Sequence, residues 1–310
     1  FEYKKCPFCH SNKVKKDGKQ NNRQRYKCHV CDKRFSGGSR LNPDELWQRY
    51  SRGKQTVGQL AEHFHCSRKT ISRHLGKVVT KHEFATPQTV NLIMDTTYFG
   101  RRFGVMVLHD GISGQALSVD EVKSETNALY FEAVCKIREK GINIQSITCD
   151  GKKGLMQMFA DIPVQLCHFH QVKTVNRYLT RKPKTVAAQD LRELVLTLKS
   201  SSRHQFESAL NDWFEQHKSF LNERSIHPET GKSHYTHKRL RSAYNSLKRN
   251  LDYLFAFERF AELDIPKTTN FLEGRFGDMK QKLRCHQGMR KENKIRFIKD
   301  YFSRKNLNST

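Results

Sequence analysis

Three acidic side chains stand where acids are costly or pointed. Asp95 follows the apolar run of "VNLIMDTTYFG" (residues 90–100), Asp150 closes "INIQSITCDG", and Glu273 lies in "TTNFLEG". A carboxylate in a strand covered on both faces is expensive to desolvate unless it is neutral or partnered. Two carboxylates about 4 Å apart repel by ~4 kcal/mol at an effective dielectric near 20. A divalent cation between them removes that cost, and an oxygen-only ligand set favours magnesium or manganese over zinc. Each acid also has a plainer reading. Asp95 can cap a strand end, Asp150 can start an Asp-Gly turn, and Glu273 can be the capping-box partner of Asn270. Asp110 in "HDGISG" reads as a turn residue, and Asp120 and Glu121 as solvent-facing residues at a strand end.

A second constellation opens the chain. Cys6 and Cys9 form one C-x-x-C pair and Cys28 and Cys31 another, with eighteen residues between Cys9 and Cys28. This spacing closes a tetrahedral four-thiolate zinc site, with the intervening segment as a short hairpin. So small a segment needs the metal to fold. His10 and His29 adjoin the pairs as alternative ligands. Lys13, Lys15, Lys16, Lys19, Arg23 and Arg25 on the hairpin offer phosphate contacts. A third group, Cys167 and His170 in "LCHFH", is either half of a zinc site completed by Cys285 and His286 or a brace at a strand exit. The brace is the reading adopted.

The elements that must position these residues follow from periodicity. "TVNLIMDTTYF", "FGVMVLHD" and "QALSVDEV" read as a three-stranded meander. A helix from Glu125 to Lys140 crosses back to the strand ending at Asp150. "KKGLMQMFAD" reads as helical, and "PVQLCHFH" as a short strand entering a helix. Hairpins followed by a right-handed crossover to a strand parallel to the first make the ribonuclease H arrangement, with Asp95 and Asp150 on adjacent strands. Ahead of it, apolar stripes at Leu46, Trp47 and Tyr50, at Val57, Leu60, Ala61 and Phe64, and at Ile71, Leu75 and Val78 predict three helices. Thr56 and Ser67 are the N-caps of the second and third, and the tight "HCS" link gives helix-turn-helix geometry. Arg68, Lys69, Thr70, Ser72 and Arg73 face outward on the third helix, as groove-reading and phosphate-binding residues. A plain three-helix packing module is the alternative.

Composition agrees with a polyanionic partner. Among 310 residues, 57 Lys and Arg face 31 Asp and Glu, a formal charge of +26 that favours nucleic acid over a membrane surface. No apolar stretch approaches a membrane span, and no signal-peptide pattern opens the chain. Nine cysteines, with four in C-x-x-C pairs, suit metal binding in a reducing compartment.

The order of "LIMDTTYF", "ITCDGKKGL", "LCHFH" and "TTNFLEG" resembles the Mutator-like insertion-sequence DDE transposases, and the amino-terminal cysteines resemble their zinc-binding bacterial variant. The resemblance covers nearly the whole chain. It implies an α/β fold: a ribonuclease H-like (retroviral integrase-like) catalytic core with a helical insertion, preceded by a zinc ribbon and a helix-turn-helix domain. The expected boundaries are 1–38 for the ribbon, 42–80 for the helix-turn-helix, 88–182 and 266–304 for the core, and 183–265 for the insertion. It implies that Asp95, Asp150 and Glu273 hold two magnesium ions, with manganese able to substitute. The reaction would be hydrolytic nicking at element ends, then attack of the freed 3′-hydroxyl on target DNA. Lys280, seven residues after Glu273, is a candidate phosphate holder or simply a solvated lysine. Arg284, His286 and Arg290 resemble the family's tail and are candidate DNA clamps. The partners implied are double-stranded DNA and a second copy of the chain, in the bacterial cytoplasm on the nucleoid. Two rivals remain, a DNA-binding regulator whose core does no chemistry and another ribonuclease H-fold nuclease.

Overall fold

Two cysteine turns begin the amino-terminal unit. Backbone bonds from Cys6 N to Ser11 O (2.9 Å) and from Cys28 N to Lys33 O (3.0 Å) close the chain around them. Between and after the turns lie β1 (Val14–Gln20), β2 (Arg23–Cys28) and β3 (Arg34–Ser36). They form one antiparallel sheet in that order. The expected hairpin therefore gains a third strand, which buries little. A computed structural model describes residues 5–20, 23–36, 41–78, 82–101 and 103–303, and the chain divides into two units at Val79 and Thr80.

Three helices complete the first unit: α1 (Pro43–Ser51), α2 (Val57–His63) and α3 (Arg68–Lys77). Asn42 caps α1, with Pro43 in the first turn where its missing N–H is no loss. Thr56 and Gln59 form a reciprocal capping box on α2, and Ser67 Oγ accepts from Thr70 N at 3.2 Å on α3. Each cap contributes about 1 kcal/mol. Leu46, Trp47, Leu60, Ile71 and Leu75 are buried between the three helices.

The second unit is built on β4 (Thr89–Phe99), β5 (Phe103–Asp110), β6 (Ala116–Val122), β7 (Asn143–Cys149) and β8 (Val164–Leu166), in the order β6-β5-β4-β7-β8. The first three are antiparallel neighbours, while β4 pairs with β7, and β7 with β8, in parallel. Helix α4 (Asn127–Glu139) makes the crossover, capped by Thr126, and buries Tyr130, Ala133, Val134 and Ile137 along one face. Meander, crossover helix and parallel fourth strand are thus present as expected. Residues 152–161 differ, because only a 3-10 turn at Met156–Phe159 forms where a helix was expected.

Helices α5 (His168–Leu179), α6 (Val186–Leu196), α7 (Arg203–Asn222), α8 (Lys238–Leu254) and α9 (Ala256–Arg259) follow, with a small ribbon of β9 (Arg224–Ile226) and β10 (Ser233–Tyr235) between α7 and α8. The chain returns to the sheet through α10 (Asn270–Arg284), and α11 (Lys291–Phe302) is the last element among the described residues. One apolar core runs from Val90, Leu92 and Met94 in the sheet to Leu191, Phe206 and Leu247 in the helices and Phe255 between α8 and α9. Residues 183–265 therefore share the core of the sheet rather than owning one. Among the described residues, no helix is long and apolar enough to cross a membrane.

Candidate active site

Asp95 sits where two parallel strands part. Pairing of β4 with β7 ends at Ile93 and Thr148, and continuing that register by two residues sets Asp95 opposite Asp150. The carboxyl ends of parallel strands, where pairing stops, are the usual crevice of an open sheet. Asp95 is half-buried, and its Oδ1 accepts from Thr96 N at 2.8 Å. Asp150 Oδ1 accepts from Lys152 N at 3.2 Å, which shapes the Asp-Gly turn without using up the carboxylate.

Glu273 comes from the far end of the chain, and buried polar bonds explain how it arrives. Asn91 Nδ2 donates to Leu263 O (2.7 Å) and Asp264 O (3.1 Å), while Ser146 Oγ donates to Asn91 Oδ1 (2.8 Å). Thr148 Oγ1 donates to Pro266 O at 2.8 Å, and His168 N to Lys267 O at 3.0 Å. Thr269 N donates to the buried Cys167 sulfur at 3.3 Å. Gly111 lets the returning segment seat this closely, since a Cβ there would stand 2.6 Å from Pro266 Cγ. None of Asn91, Ser146 and Thr148 was singled out from sequence; a polar residue inside an apolar strand was the available signal.

Helix α10 then starts one residue earlier than the capping-box reading requires. Its N-cap is Thr269, Asn270 is already helical, and no side-chain cap bond is made. Glu273 is free to turn to the sheet, where its Oε1 lies 3.2 Å from His170 Nε2. Ligand atoms of Asp95, His170 and Glu273 all fall within 4.8 Å of one another. Asp150 is not part of that tight group, although its charge reaches Asp95. Sequence reading makes His170 a brace at the strand exit, and the structure sets it in one group with Asp95 and Glu273.

Burial is the main force pushing the Asp95 carboxyl up to about 7, and Glu273 and Asp150 add to it while His170 opposes. Burial alone would depress His170, yet the neighbouring Cys167 sulfur, Asp95 and Glu273 outweigh it and hold the imidazole at about 9. The cluster is therefore a place that concentrates positive charge. Asp95 and Glu273 offer carboxylate oxygens suited to a divalent cation, whereas the protonated His170 has no lone pair to add to them. Glu125, overlooked in the sequence, lies close enough for Asp150 to raise its carboxyl further after burial has done so. It accepts from Tyr130 Oη at 2.9 Å, and Tyr130 Oη lies 2.9 Å from Thr96 Oγ1.

The four sulfurs of Cys6, Cys9, Cys28 and Cys31 also gather within 4.8 Å. Cys6 and Cys31 are 3.6 Å apart and Cys9 and Cys28 are 3.5 Å apart, too long for disulfides. Sulfurs about 2.3 Å from one tetrahedral zinc would stand roughly 3.8 Å apart, so the quartet fits that ion. His10 and His29 are exposed and outside the group. Cys167 and His170 are not joined by Cys285 and His286 in any ligand group among the described residues.

The remaining candidates divide. Arg68, Lys69, Ser72 and Arg73 are exposed on α3, whereas Thr70 is half-buried with its hydroxyl 3.0 Å from Ser67 Oγ, so it serves the cap. Lys13, Lys15, Lys16 and Lys19 are exposed, but Arg25 is tied to Asp17 at 3.3 Å; the side chain of Arg23 lies outside the described residues. Lys280 is half-buried beside the Phe99 ring, near enough to Asp95 to feel its charge. Arg284 and Arg290 are exposed. His286 is buried against Phe297, which removes it from any clamp on DNA.

Residues 51–78, which span the end of α1 through α3, match the family described as "Bacterial regulatory protein, arsR family". No curated protein matches the sequence. Among solved structures, the chain is similar to the catalytic core of HTLV-2 integrase in complex with magnesium. In the trimeric form the identity is 18%, covering 49% of this chain and 96% of that one, with a TM-score of 0.22. A simian T-cell lymphotropic virus intasome in complex with a PP2A regulatory subunit is similar at 11% identity over 62% of this chain and 72% of that one, with a TM-score of 0.21. The class that emerges is a mixed α/β protein with a helix-turn-helix over the residues matched to that regulatory family.

Proposed function

We propose that the chain is a DDE transposase of an insertion sequence, of the zinc-binding Mutator-like kind, with a ribonuclease H-like core. It would bind the terminal inverted repeats of its element and catalyse metal-dependent strand cleavage and 3′-hydroxyl strand transfer. One observation carries this reading: Glu273, from a helix near the end of the chain, lies with Asp95 and His170 inside a 4.8 Å group at the crevice where β4 and β7 part. Two magnesium ions held by Asp95, Asp150 and Glu273 would supply charge stabilisation to the attacking and leaving oxygens of an in-line displacement at phosphorus, and manganese could substitute.

The chain's own groups do the rest. His170 orients the Glu273 carboxylate through its Nε2 and adds positive charge to an acid-rich pocket. Lys280, on the same helix as Glu273, would hold a phosphate oxygen. The four cysteines hold a structural zinc, and the exposed basic residues of α3 grip a duplex in its major groove. Joining two element ends calls for a pair of chains on DNA, working at the nucleoid.

The test is to incubate the protein with labelled element ends, a target plasmid and magnesium, beside Asp95→Asn. Strand-transfer products lost in the variant support the reading. Binding without cleavage would favour the regulator that the match of residues 51–78 suggests. Cleavage without joining would point to a nuclease of another kind.

A further inference from the structure

Next to the acidic cluster, a cleft of about 660 Å3 opens between the loop after Asp150, helix α5 and helix α8. His170 lines both the cleft and the acidic group. Resting on the DNA-processing reading above, we infer that this cleft receives one unpaired nucleotide of the DNA strand being processed, lifted out of the duplex next to the phosphate that would react at the acidic cluster.

Size comes first. The volume falls within the roughly 300–1,000 Å3 range of small-molecule sites and is far too small for a duplex, whose major groove alone is about 12 Å wide. Chemistry narrows the occupant. Tyr178 and Tyr253 contribute half-buried rings, and base–aromatic stacking accepts any base because every base has a π-face. On the wall between α5 and α8, Gln171 Nε2 donates to Ser246 Oγ at 3.2 Å and Asn250 Nδ2 donates to Gln171 Oε1 at 3.1 Å. Gln171 and Ser246 are buried, so this relay fixes Asn250, whose amide keeps both donor and acceptor capacity for a base edge. The rim supplies Lys153, Arg177 and Arg249, all exposed, as partners for the phosphates on either side of a lifted nucleotide. A stacking surface, a base-reading amide and cationic flanks in one recess describe a nucleotide, not a metabolite without phosphate. Gly151, which lines the recess, follows Asp150 directly and so keeps that nucleotide next to the acidic cluster. Taking a nucleotide out of the stack also frees the neighbouring strand end to move, which a reaction at that phosphate needs.

The experiment uses the full chain, without added magnesium, and two labelled duplexes: one fully paired, one with a single unpaired 2-aminopurine. The wild type should bind the second about tenfold more tightly and quench its fluorescence, a preference inside the range one stacked base provides. Asn250→Ala and Arg249→Glu should each bring the two affinities together; Arg249 is exposed, so its variant tests the cleft without disturbing the core. Tyr253→Ala should abolish the quench and Tyr253→Phe should keep it. Equal binding of the two duplexes by the wild type overturns the inference, as does a preference that survives both Asn250→Ala and Arg249→Glu. Free deoxynucleotide that binds as tightly as the unpaired strand also overturns it. Failure of the transposase reading looks different: no cleavage of either duplex in magnesium or manganese, with the preference and the quench intact.

Discussion

Asp95 interrupts an apolar strand, and the cost of that interruption shapes the behaviour of the site. Burial foremost, then the nearby acids, hold its carboxyl at about 7 rather than the ordinary 3.8. Between those values the folded protein keeps a proton that the unfolded chain has released. Metal-free stability should therefore fall as pH rises through the window. Asn at this position does not titrate. In chelator-treated protein, the thermal midpoint of Asp95→Asn should gain on the wild type from pH 4 to pH 7 and keep that lead above it. A difference that stays flat across this range would mean that the wild-type carboxyl is not raised. His170 works in the same sense, since its elevated value near 9 lets the folded state hold a second excess proton at neutral pH. Retention of these protons and uptake of cations are then competing events at one cluster.

At the scale of elements, the return of the chain to the sheet decides whether Glu273 meets Asp95. Asn91 ties residues 263 and 264 to β4 and accepts from Ser146 on β7. Asn91→Leu strands two carbonyls and a hydroxyl, each costing about 1–3 kcal/mol when buried and unpaired. Urea unfolding should show a loss of at least about 2 kcal/mol, and cleavage should drop by more than that loss explains. A loss below about 0.5 kcal/mol would show that other bonds seat this segment. Such ties were invisible in the sequence, because a lone Asn or Thr in a strand carries no mark of what it will bind. The strands themselves were legible from the runs around Asp95 and Asp150, and the helix starts from Thr56 and Ser67, since caps and periodicity are local. Residues 152–161 misled because a short apolar segment between Gly154 and Pro163 packs equally well as a single 3-10 turn. Glu273 was legible only through the order of motifs. Its local surroundings suggested a cap with Asn270, and the actual cap position fell on Thr269. His170 could not be ranked because its partner lies on a helix a hundred residues away in the chain.

The whole molecule carries a formal +26, and its exposed basic residues on α3 give that charge a direction. Duplex affinity should fall with salt along a slope of about −0.9 per phosphate contacted. Removing Arg68 or Arg73 should shallow the slope by about 1 each, read from anisotropy titrations at several salt concentrations. An unchanged slope in both variants would place the duplex elsewhere on the surface. The central claim, however, is that acids drawn from three separate stretches of sequence form a single cation site. Manganese binding followed by electron paramagnetic resonance tests it most directly. The wild type should take up manganese that magnesium displaces, and Glu273→Gln and Asp95→Asn should each lose that binding while remaining folded. Manganese bound by Glu273→Gln in the same amount and with the same affinity as the wild type would contradict the account.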